Sequence, residues 1–147
     1  MTMQEYPHHY RVTATGGAED NIELSSPGVP ELPSAAPAEF GGPGDQWSPE
    51  TLLAAAVADC FILSFRAIAR ASKFDWISLS CDVDAVLEKV EKVTQFTEFR
   101  ETVELVVPAG TDETKAMRLL EMAERVCLVT NSLTGKTHLD ATVKFAD

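Results

Sequence analysis

Residues 47–69 read WSPETLLAAAVADCFILSFRAIA, and the reading of this stretch decides the fold. Ser48 suits a helix N-cap, Pro49 the first helical position, and Glu50 the positive end of the helix dipole. A helix is predicted from here to about Ser72. Its first half is apolar nearly all round, which is the pattern of a helix buried at the centre of an assembly. Basic residues come late, at Arg66, Arg70 and Lys73, where they suit the C-terminal end. In the middle sits Cys60, directly after Asp59.

Working outward, HHYRVTATGGAEDNIELSS (8–26) predicts a hairpin: Tyr10, Val12 and Ala14 alternate with polar residues, GGAEDN turns, and Ile22 and Leu24 resume the alternation. The following segment, 27–47, is rich in proline and glycine and reads as a long loop or an edge strand. Loops this long usually serve function or pack on a partner chain. Beyond the helix, Ile77, Leu79, Cys81, Val83, Ala85 and Leu87 fall on one strand face. Phe99, Val103, Leu105 and Val107 do the same on the next strand, and the short link at 89–94 predicts an antiparallel hairpin. A second, amphipathic helix is predicted over about 112–126, with Met117, Leu120, Ala123 and Cys127 on its apolar stripe. CLVTNSLTGK (127–136) reads as a turn. A last strand then has Leu139, Ala141, Val143 and Phe145 inward. The order β-β-loop-α-β-β-α-β implies an α+β fold of mainly antiparallel sheets in one domain over 1–147. One sheet cannot cover a helix that is apolar on every side. A twofold homodimer with this helix at its heart is therefore expected.

The chain has 147 residues, 45% of them apolar, and a net charge of −11. These values suit a soluble domain with a real core and argue against nucleic-acid or anionic membrane partners. The start MTMQEYPHHYRV has no signal-peptide pattern, and the apolar run Leu52–Leu63 is interrupted by Asp59 and short for a bilayer. A cytoplasmic setting is expected, where a structural disulfide would be unusual. Cys60, Cys81 and Cys127 lack the spacing of a zinc site, and adjacent His8 and His9 face opposite ways on a strand, so no metal or organic cofactor is implied. Three readings of Cys60 stay open on residues alone. It could be a space-filling buried thiol, a redox nucleophile paired with Cys127, or part of an apolar ligand pocket.

WSPETLLAAAVADCF resembles the first cysteine motif of the OsmC/Ohr family of thiol-dependent peroxidases, and EMAERVCLVTNSL its second, in which a helix runs into the cysteine. The loop EFGGPGDQW and the order of elements also fit. The resemblance implies an intertwined homodimer with antiparallel sheets wrapped around central helices. It implies Cys60 as the peroxidatic thiol, Cys127 as the resolving thiol and Glu50 as the motif carboxylate. An organic hydroperoxide is the implied substrate and a cellular dithiol the implied reductant. Glu50 lies ten residues before Cys60, about 15 Å along the axis, too far to reach it within one helix. Where peroxidase members carry an arginine, the turn here reads TGGAEDN, without a basic residue. Arg100 and Arg11 are the candidate replacements for stabilising the thiolate, with Arg66 and Arg125 less suited. Asp59, if close, works against ionisation of Cys60. Phe40, Trp47 and Phe61 are candidates for an apolar substrate channel. A member with weak or no peroxidase activity that binds an apolar small molecule at the dimer interface is the alternative these departures leave open.

Overall fold

The computed structural model describes residues 3–147, in two compact units, the first running to Leu52 and the second spanning Leu53–Asp147. In the first unit, β1 (Thr13–Thr15), β2 (Ile22–Ser25) and β3 (Leu32–Ser34) form an antiparallel sheet in that order. The hairpin is as expected but shorter, and Tyr10 and Val12 lie outside it, exposed. The proline-rich segment supplies β3 as an edge strand, which suits Pro33 because an edge position asks no ladder hydrogen bond of its missing N–H.

Helix α1 (Pro49–Ala71) starts where the sequence places it. Ser48 Oγ accepts from the Thr51 amide at 3.1 Å, and the Ser48 amide donates back to Thr51 Oγ1 at 2.9 Å. This reciprocal pair satisfies two amides that a helix start otherwise leaves unpaired. At the far end Lys73 turns left-handed (φ 52°) and the Phe74 amide closes onto the Ala69 carbonyl at 2.8 Å. At 23 residues α1 as a whole is long and apolar enough to cross a bilayer by length and composition, although the run Leu52–Leu63 within it is not. Its buried residues, Val57, Phe61, Phe65 and Ala69, recur every four positions. That is one stripe, not a helix enclosed all round by its own chain.

The second unit's sheet has the order β4 (Ser78–Val90), β5 (Val93–Val107), β6 (Lys136–Phe145). β4 and β5 form the predicted antiparallel hairpin, closed by Glu91 and Lys92, both with positive φ. Two such residues give the primed turn that matches strand twist. The expectation of antiparallel sheets is corrected at β6, which pairs with β5 in parallel. The cause is α2 (Glu113–Val126), a crossover that carries the chain back to its starting end, as parallel neighbours require. Gly135 admits β6 here: a Cβ at this position would stand 2.7 Å from the Phe99 ring.

One face of the sheet carries the core. Phe61, Phe65 and Ala69 of α1 and Ala116, Leu119, Leu120 and Ala123 of α2 pack on Val103, Leu105 and Val107 of β5. Phe65 meets Trp76 edge-on at 5.3 Å between ring centroids. Asp112 caps α2 by accepting from the Lys115 amide at 3.2 Å. Two smaller expectations are corrected. The segment read as a turn after Cys127 forms a short helix, α3 (Leu128–Asn131), and Phe145 is exposed rather than inward.

Candidate active site

Cys60 sits on α1, half-buried, between the core residues Val57 and Phe61, and its Sγ lies 3.9 Å from Ser64 Oγ one turn on. Cys127 is wholly buried at the break between α2 and α3, where the backbone is extended for one residue (φ −61°, ψ 109°). Thr130 Oγ1 donates to the Cys127 carbonyl at 3.2 Å and pins this break. Burial pushes the Cys127 thiol up, the Thr130 hydroxyl and amide draw it down, and a hydrogen bond and charge from Cys60 push it up again. The two thiols are thus neighbours, both reduced.

The third cysteine has a different environment. Cys81, on the inner face of β4, is pushed up to about 12, first by burial and then by Glu101, Asp82 and Cys127. A thiol held so high stays protonated at neutral pH and is a poor nucleophile, since the thiolate is the reacting species.

Glu101 went unnoticed among the sequence candidates. It occupies the inward row Phe99, Glu101, Val103, Leu105, Val107 of β5, is 1% exposed, and neither carboxyl oxygen has a hydrogen-bond partner. Burial, and then the charge of Glu124, push its carboxyl up to about 7. Glu124, half-buried on α2, is itself raised, by burial first and then by Glu121, with His138 and Arg125 acting the other way. The signal was in the alternation: one carboxylate in a row of apolar inward positions.

The remaining candidates fall in different places. Glu50 is in the first turn of α1, with Oε1 buried and unpartnered. It lines a cavity of about 450 Å³ in the first unit, walled by Ile22, Leu24, Phe40 and Leu52 among others. Phe40, 59% exposed, is part of that wall, whereas Trp47 lines a separate hollow with Pro33, Gln46 and Thr51. Phe61 belongs to the buried stripe of α1 and packs in the core. Arg11 is exposed in the first unit, its carbonyl accepting from Ser26 Oγ at 2.8 Å. Arg100 lies on the outer face of the sheet, 3.1 Å from Glu98 and 3.9 Å from Asp84. The face that α1 covers is the other one, so the chain's own fold turns Arg100 away from Cys60. Among the described residues no group of three His, Cys, Asp or Glu is arranged to hold a metal ion.

The family model for OsmC-like proteins matches residues 42–142, a span that holds both Cys60 and Cys127. An organic hydroperoxide resistance protein from Xanthomonas axonopodis pv. citri is 31% identical over 137 residues, 91% of each chain. Among solved structures, an OsmC-like protein of unknown function from Vibrio cholerae superposes with a TM-score of 0.84 at 16% identity, covering 92% of this chain and all of the other. An organic hydroperoxide resistance protein from Legionella pneumophila has a TM-score of 0.68 at 26% identity, covering 95% and 99%.

Proposed function

Because this chain belongs to the OsmC-like protein family, we propose that it is a thiol-dependent peroxidase acting on organic hydroperoxides, with Cys60 as the peroxidatic and Cys127 as the resolving cysteine. The observation that carries this reading is the half-buried Cys60 on α1 beside the buried Cys127, both free. The Cys60 thiolate attacks the terminal, hydroxyl-bearing oxygen of the hydroperoxide. An S–O bond forms, the O–O bond breaks, and the alkoxide leaves to take up a proton as the alcohol. Cys127 then attacks the Cys60 sulfenic sulfur, and water departs as the disulfide forms. A dithiol, supplied in a cytoplasmic setting, returns both thiols by exchange and is itself oxidised. The apolar surroundings of Cys60 favour a bulky alkyl or aryl peroxide over hydrogen peroxide.

One equivalent of cumene hydroperoxide, without reductant, tests this directly. Free thiols should fall from three per chain to one, with Cys81 surviving and peptide mapping joining Cys60 to Cys127. A count that stays at three rejects the peroxidase reading. It leaves the second one, a weakly reactive member that binds an apolar small molecule. The apolar cavity beside Glu50 and the base-free turn at 16–21 favour that alternative.

The working unit we propose is a homodimer. Within its own chain α1 leaves Leu63 49% exposed in an otherwise apolar stretch, and a second copy is the simplest cover. Light scattering at micromolar concentration should give twice the 16.0 kDa chain mass; a monomer would exclude the arrangement.

A further inference from the structure

Glu101 has no part in the chemistry above, yet it lies inside the same unit and is sealed from solvent. In register it stands opposite Val83 of β4 and Leu139 of β6, and diagonal to Cys81, whose partner is Val103. Over this face lies α2, whose Leu120 and Ala123 share one core cluster with Val103 and Leu105. Glu124 follows Leu120 by four residues and Cys127 follows Ala123 by four, so both extend that packed face toward the helix end. The titratable groups facing Glu101 are therefore Cys81 from β4 and Glu124 and Cys127 from α2. β6 turns Leu139 and Ala141 inward, and α1 presents Val57, Phe61 and Phe65. Among the described residues no cation acts on the Glu101 carboxyl; Arg125 of α2 and His138 of β6 act on Glu124.

We propose that Glu101 is a pH-sensitive latch beneath the last turn of α2: protonated, it lets that turn lie flat on the sheet, and ionised, it repels Glu124, draws in water and loosens the turn together with Cys127. A neutral acid tolerates this apolar setting, whereas a buried carboxylate with no donor does not. Regulation of the thiol pair by the latch rests on the resolving role proposed for Cys127; the loosening itself does not.

The carboxyl is about 7 in the closed state and ordinary once exposed, so the sign follows from linkage. The open form binds fewer protons between the two values, and opening grows with pH through that window and levels above it. Hydrogen exchange, rescaled for the intrinsic pH dependence of amide exchange, reads this out. Protection of the last turn of α2 (121–126) should fall about tenfold per pH unit between pH 5 and 7 and then level off. Amides in the first turn (113–117) should stay nearly constant. Glu101→Gln should abolish the slope. A flat profile in the native chain, an equal slope at both ends of α2, or a slope that survives in Glu101→Gln would each overturn the latch. If the variant does not fold, the contrast between the two ends of α2 in the native chain decides. A chain that reduces no peroxide but shows the slope keeps the latch and loses the proposed function.

Discussion

Cys60→Ser should cut the reduction of cumene hydroperoxide, followed by stopped flow with excess dithiol, on the order of 10³-fold or more. Serine keeps the volume and the contact with Ser64, so the helix and its buried stripe stay intact. What disappears is the nucleophile, because a hydroxyl does not ionise near neutral pH and has no tendency to attack peroxide oxygen. Cys127→Ser should differ in kind: one fast oxidation of Cys60, then a stall at the sulfenic acid, detectable by trapping with dimedone. Cys81→Ser should leave turnover within about twofold, since a thiol held near 12 contributes almost no thiolate. Undiminished activity in Cys60→Ser would remove Cys60 from the reaction.

Glu101→Gln should stabilise the chain at pH 8, by up to about 3 kcal/mol in urea denaturation, and leave it nearly unchanged at pH 4. The folded carboxyl titrates at about 7 against an ordinary value of 4.5. Between these values the folded chain holds a proton that the unfolded chain has lost. Stability from this group is therefore full below the ordinary value, declines as pH rises toward 7, and is lost above it. Glutamine keeps the shape of the protonated acid and cannot ionise, so its advantage grows over the same window. A variant no more stable than the native chain at pH 8 would mean that the carboxylate finds a partner on ionising.

Several features were legible in the sequence because they are local. Ser48 and Pro49 mark the helix start by side-chain chemistry alone, and the observed capping bonds sit on those residues. The β4–β5 hairpin followed from alternation plus a short link. The direction of β6 was not legible, because alternation tells which face a side chain takes and nothing about which way the strand runs. Phe61 was legible in a related way: its spacing from Val57 and Phe65 signals the buried stripe in which it sits. The meeting of Cys60 with Cys127 depends on α2 folding back over the sheet, a tertiary event that two distant motifs do not encode without the family resemblance. Glu101 is the opposite case. Its parity is plain from the strand alternation, and what alternation does not convey is that no partner waits for the carboxyl inside.

The parallel pairing of β5 with β6 also orders events in time. The β4–β5 hairpin joins neighbours across two residues, Glu91 and Lys92, and such closures take microseconds. Glu98 pairs with Lys136 and Val107 with Phe145, so each β5–β6 contact must close a loop of 38 residues that contains a whole helix. Loop-closure entropy puts this contact late. Until then the outer edge of β5 offers a row of unpaired amides and carbonyls along an apolar strand, the surface on which chains join edge to edge. The crossover that brings Cys127 to Cys60 thus sets the interval in which a newly made chain is most exposed to aggregation.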